Sequence, residues 1–69
     1  MEFNYAKLKG RITEKFGSDK NFANAVNITP ESVSKKLSNK TIWKQPEIIR
    51  ACEALNIDKE EIGLYFFSN

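Results

Sequence analysis

A chain of 69 residues with a net charge of +2, one cysteine and no histidine is short enough for one domain, near the lower size at which a single apolar core supports itself without staples. The composition excludes an intramolecular disulfide, a Cys/His zinc cluster and a Cys-His or Ser-His catalytic pair. No apolar run approaches the length of a bilayer span, and "MEFNYAKLKG" lacks the basic-then-apolar order of a signal peptide, so a cytoplasmic protein with Cys52 reduced is expected.

Asn4 offers an N-cap, and behind it Tyr5, Leu8, Ile12 and Phe16 recur at helical spacing. Gly17 is placed to end that helix in a left-handed conformation, which predicts a first helix over residues 5–16. Ser18 is a second cap, and Phe22, Ala25 and Val26 outline a helix of about two turns over residues 19–26. Asn27 accepts positive φ more readily than any residue but glycine, so the chain turns sharply there and Ile28 pins the turn to the core. Thr29-Pro30 is a hydroxyl cap followed by a residue whose missing N–H costs nothing at the first helical position. A third helix follows over residues 30–38, and within it only Val33 and Leu37 have anything apolar to bury. The polar "SNKTIWKQ" is a loop in which Ile42 or Trp43 tucks back onto the core. Pro46 marks the next start, with Ile48, Ile49, Cys52 and Leu55 as the apolar stripe of a helix over residues 46–55 that Asn56 stops. Asp58 is again a cap, and Ile62, Tyr65 and Phe66 outline a short last helix. No segment alternates with a period of two, so the expected fold is all-α, a compact five-helix domain covering residues 1–69.

The charge is unevenly distributed. Residues 1–45 carry nine Lys/Arg against four acids, residues 46–69 two against five. Between Ser32 and Pro46 stand Lys35, Lys36, Lys40 and Lys44 with no acid among them. The second and third helices are short, and three or four residues with a positive-φ position join them, so they cross steeply, as in a helix-turn-helix. A steep crossing demands a small residue facing the turn, which Ala23 supplies, and Val26, Ile28 and Val33 form the apolar triangle that locks the corner.

The run "SDKNFANAVNITPESVSKKLSNK", residues 18–40, resembles the helix-turn-helix of the Cro/repressor superfamily, with Phe22-Ala23, Val26, Ile28, Val33 and Leu37 at the apolar positions of the pattern. The flanking "MEFNYAKLKGRITEKFGSDKNFA" and "WKQPEIIRACEALNIDKEEIGLYFF" resemble, nearly end to end, small Cro-like regulators of temperate phages of Gram-positive bacteria. That group includes modulator-of-repression proteins, which act alongside a phage's main repressor. The resemblance implies a repressor-like five-helix domain in the cytoplasm of a bacterial host, binding DNA with the third helix in the major groove. Two positions depart from the family pattern. Asn27 stands where glycine is usual, which its tolerance of positive φ allows. Asp19 stands where a glutamine commonly approaches a phosphate, and an acid there caps its helix or meets Lys20 instead.

With Val33 facing the core and about 100° per residue, Leu37 shares its bearing, while Glu31, Lys35 and Ser38 point away. Ser32 and Ser34 flank that outer face and Lys36 sits at its edge. The expected base-reading residues are Glu31, Ser32 and Lys35, since Lys donates to guanine, Glu accepts from cytosine and Ser does either. Lys20, Thr29, Ser34, Lys36, Asn39, Lys40 and Lys44 are expected on the phosphate backbone, where contacts fix register without reading sequence. An exposed i, i+4 ion pair accounts for Glu31 and Lys35 without any ligand. Cys52 reads as a small buried hydrophobe. At the other end, Phe66 and Phe67 cannot both face one small core, so Tyr65, Phe66 and Phe67 are the candidate protein interface.

The expected partner is double-stranded operator DNA, bound by a transcriptional regulator of a lysis/lysogeny switch. The alternative is a modulator that binds the main phage repressor, as an anti-repressor or co-repressor, through the aromatic C-terminal end and the acidic half. A homodimer or a heteromeric complex with that repressor suits either reading. With no histidine, no Gly-rich phosphate loop and no paired carboxylates, no reaction centre, cofactor, metal or small-molecule substrate is expected.

Overall fold

Gly17 and Asn56 end their helices at the positions where the sequence places them, while the second and third helices each stop one residue earlier than expected. In the computed structural model, which describes residues 2–69, the order is α1 (Ala6–Phe16), α2 (Asp19–Ala25), α3 (Pro30–Leu37), α4 (Gln45–Leu55) and α5 (Ile62–Phe66), the last preceded by a 3-10 turn at Lys59–Glu61. Gly17 closes α1 at φ 80, and its N–H donates to the Thr13 carbonyl. Asn27, Asn39 and Asn56 take φ values of 60, 65 and 55, the left-handed region that asparagine tolerates best among side-chain-bearing residues. The Asn4 side chain accepts from the Ala6 N–H, so α1 begins one residue later than expected. Ser18 and Thr29 cap α2 and α3, each accepting the N–H three residues on.

Differences at α4 and before α5 have physical reasons. α4 starts at Gln45 because the Glu47 carboxylate reaches back to the Lys44 N–H at 2.8 Å, which satisfies a donor that the helix leaves open. Asp58 makes no side-chain cap; its backbone carbonyl receives the Glu61 N–H instead, and the chain winds as a 3-10 turn before α5.

The core gathers Leu8 and Ile12 from α1, Phe22 and Ala23 from α2, Val33 and Leu37 from α3, and Ala51, Cys52 and Leu55 from α4, with Tyr65 and Phe66 from α5. Trp43 is the loop residue that tucks in, edge-on to Phe66 at 5.3 Å, while Ile42 stays 77% exposed. Phe16 is only half-buried and packs at a tilt against Phe22. The stripe of α4 runs through Ile48, Ala51, Cys52 and Leu55, the i, i+3, i+4, i+7 series. Ile49, expected on that stripe, lies about 100° round the helix from Ile48 and is half exposed.

Two arginines tie the helices together. Arg50 donates through Nε to the Val26 carbonyl after α2, and Arg11 donates to the Leu55 and Asn56 carbonyls at the end of α4. A cation at a helix C-terminus meets both the unsatisfied carbonyls and the negative end of the dipole. The ends of the described chain also meet: the Asn4 N–H donates to the Ser68 carbonyl at 2.7 Å, and Phe3 packs edge-on to Phe67.

Candidate nucleic-acid interface

Four residues, 26–29, join α2 to α3. The Ile28 N–H reaches back to the Ala23 carbonyl at 2.9 Å, an approach that the small side chain at Ala23 permits. Val26 and Val33 are fully buried at the corner, with Ile28 half-buried beside them. Val33 and Leu37 hold the inner face of α3, which leaves Glu31, Ser34 and Lys35 exposed on the outer one and Ser32 half-buried at its margin. Among the described residues no ion pair closes between Glu31 and Lys35. Lys20 on α2, and Lys40 and Lys44 in the loop after α3, are exposed. The Thr29 hydroxyl oxygen accepts from Ser32 as the cap of α3, and its hydroxyl proton remains available as a donor.

The structure corrects two of the expected phosphate contacts. Lys36 is buried, its ammonium 3.1 Å from Glu47 Oε1 and 3.1 Å from the Ile42 carbonyl, and it lies over the Trp43 ring. Its four-carbon stem reaches inward from the helix edge instead of outward, and the ammonium staples α3 to the start of α4. Asn39 is committed as well: its side-chain amide pairs with both backbone groups of Phe3 at 2.9 Å each. Burial alone would push the Glu47 carboxyl up, but the Lys44 N–H and the Lys36 ammonium outweigh it and hold the group below its ordinary value. Burial raises Cys52 and Tyr5 above theirs.

The expected protein interface is corrected too. Tyr65 and Phe66 are buried in the core, and of the three aromatics only Phe67 is available, at 52% exposure. The apolar surface has different members: Ile42, Ile49 and Leu64 are exposed with it. Sequence periodicity held a signal for one of them, since Ile49 falls outside the i, i+3, i+4, i+7 register of its helix. Ile42 carried no such signal, because a loop has no period to test. A depression of about 440 Å³ lies between α4 and the C-terminal helix, lined by Trp43, Ile48, Ile49, Ile62 and Phe67. The indole N–H of Trp43 is buried with no acceptor among the described residues.

Among the described residues no group of acids, cysteines or histidines is arranged to hold a metal ion, and no helix is long and apolar enough to cross a membrane. The fold and its exposed faces define a small all-α, five-helix protein with a polar helix face on one element pair and an apolar face on another. Residues 1–69 match the family described as "Protein of unknown function (DUF739)", and the chain belongs to that family. It is similar to the solution structure of the modulator of repression (MOR) of the temperate bacteriophage TP901-1 from Lactococcus lactis, with 42% identity, a TM-score of 0.83, and coverage of 97% of this chain and 90% of that one. No curated protein matches.

Proposed function

We propose that this protein regulates the lysis/lysogeny switch of a temperate phage, with α2 and α3 acting as a helix-turn-helix that presents the outer face of α3 to the major groove of operator DNA. The observation that carries this reading is the division of α3: Val33, Lys36 and Leu37 are committed inward, while Glu31, Ser34 and Lys35 are held outward and unpaired on a helix capped by Thr29. Glu31, Ser32 and Lys35 read bases; Lys20, Lys40 and Lys44, with Thr29 and Ser34, meet phosphates. The likeness to a modulator of repression over nearly the whole chain supports the place of the protein in such a switch.

Three phosphate-facing lysines make a thin electrostatic hold. Each neutralised phosphate contributes about −0.9 to the slope of log K against log salt, so one copy gives a slope near −3. That is well short of the six to ten contacts of a tight binder, which favours DNA engagement in company. A second reading therefore stands beside the first: the protein modulates the main repressor by binding it. The exposed Ile42, Ile49 and Phe67 favour that reading, since large apolar side chains grouped on a small surface mark an interaction face.

The test is a titration of the purified protein against fragments of the promoter region next to its gene, with and without the repressor encoded there. A specific shift by the protein alone, lost in the Lys35→Ala/Ser32→Ala variant, supports direct reading. A shift that requires the repressor, or a repressor shift that the protein removes, supports the modulator.

A further inference from the structure

Lys40 and Lys44 both stand in the loop between α3 and α4, yet different groups hold them there. At Lys40 the tether is α3 itself: the Lys40 and Thr41 N–H groups both donate to the Lys35 carbonyl, at 2.9 and 3.4 Å. The backbone of a base-reading residue thus fixes the first phosphate lysine. At Lys44 the tether is a side chain. The Lys44 N–H donates to Glu47 Oε1 at 2.8 Å, and the same oxygen receives the Lys36 ammonium at 3.1 Å, which also donates to the Ile42 carbonyl at 3.1 Å.

On charge alone, an acid beside a phosphate-facing segment is out of place, since a carboxylate weakens the local field that draws DNA in. Here the charge is turned inward. The Lys36 and Glu47 side chains are 8% and 15% exposed, and a pair buried in that way adds little net stability over apolar residues of similar volume.

What this pair does, and an apolar pair cannot, is hold backbone. The carboxylate fixes the N–H of Lys44, and the ammonium fixes the carbonyl of Ile42. Asn39 is clamped to Phe3 and Trp43 packs on Phe66, so the earlier part of the loop has anchors of its own. Lys44 depends on Glu47. Backbone that is already set in its bound conformation does not have to be ordered at the moment of binding.

We propose that Glu47, acting through Lys36 and the Lys44 N–H, is a positioning residue for DNA binding: it presets the backbone from which Lys44 meets a phosphate, so that an acid strengthens the hold on a polyanion. The inference rests on the DNA reading of α2 and α3, and its test separates the failure of that reading from its own. The probe is a duplex selected from a random pool on the full-length wild-type protein. Affinities are measured over a range of salt concentrations, with each variant shown to be folded under those conditions.

The double variant Lys36→Met/Glu47→Leu removes one charge of each sign, so the net charge stays at +2, and it takes away no outward-facing cation, because Lys36 is buried. Apolar residues of similar volume keep the fold. It is expected to bind the duplex about tenfold more weakly, the cost of ordering one backbone residue on the DNA, with the salt slope unchanged and amide exchange at Lys44 faster. Glu47→Gln, which keeps the shape of the side chain, gives a second test by sign: the gain of one positive charge alone would tighten binding, whereas loss of positioning weakens it. A folded double variant with wild-type affinity overturns the proposal, because the pair is then structural only. So does a Glu47→Gln variant that binds as tightly as wild type or more tightly, because the carboxylate is then idle or repelling the duplex. If the wild type selects no duplex, the DNA reading falls and this inference with it; a selected duplex that both variants bind as the wild type does overturns this inference alone.

Discussion

At Lys36 the ammonium sits 3.1 Å from a Glu47 carboxylate oxygen and 3.1 Å from the Ile42 carbonyl, so removing it strands a largely buried carboxylate. Lys36→Ala is expected to cost about 3 kcal/mol of stability, read as a lower urea midpoint. The salt slope of DNA binding should be the same for this variant as for the wild type under conditions where both are folded. Lys40→Ala or Lys44→Ala should do the reverse, leaving the stability read from the midpoint within about 0.5 kcal/mol and reducing the magnitude of the salt slope by about 0.9. Glu47 also fixes a pH dependence. Its folded-state pKa is lowered, so its contribution is fully present above the ordinary glutamate range and is lost as pH falls through the depressed value. Urea midpoints of wild type and Glu47→Gln should therefore differ at neutral pH and converge in acid. Lys36 escaped a reading from spacing because its partner stands eleven residues away in another helix. Helical periodicity placed its α-carbon at the edge of α3 but carries no information on which way a long flexible side chain turns from an edge.

On the scale of the element, α3 buries only Val33, Lys36 and Leu37, and each must count. Val33 is fully buried against the corner, and Val33→Ser both opens a void and buries a hydroxyl, for about 3 kcal/mol. A wild-type melting curve for that variant would mean that α3 is rotated from the orientation described. Substitutions at Glu31 or Lys35, by contrast, should leave stability alone and change base preference by about 1 to 3 kcal/mol per lost contact, measured by binding to duplexes altered one pair at a time. The stop of α1 and the starts of α2 and α3 were legible because they rest on local chemistry: a glycine that takes positive φ, a hydroxyl that accepts an N–H three residues on, a proline at the first position. α4 was legible in extent but not in rotation. Ile48 and Ile49 compete for one inward bearing, and Ala51, too small to stand out in the sequence, decides it by filling the core in register with Ile48. The 3-10 turn before α5 was illegible, since Asp58 has the residue type of a cap while its carbonyl, not its carboxylate, takes the hydrogen bond.

For the molecule as a whole, the contacts that close the fold are the ones farthest apart in sequence. Residues 3 and 4 are held by Asn39 and Ser68, and Phe3 by Phe67. Asn39 has two jobs there, a left-handed backbone and a two-way amide clamp. Asn39→Gly keeps the first and loses the second, so amide exchange at Phe3 should rise while the stability read from the urea midpoint falls by about 1 kcal/mol. Asn39→Ala loses both, and the forced positive φ should add about 1 kcal/mol. Equal midpoints for the two variants would show that the backbone conformation contributes nothing. The hydrogen bond from Asn4 to Ser68 has a consequence in time. At a ribosomal rate of about 5 to 20 residues per second, residue 4 waits roughly 3 to 13 s for the carbonyl that will hold it. Each copy therefore reaches its finished surface, including the Phe67 side of the apolar face, only after that interval, a lag that no change in promoter strength can shorten.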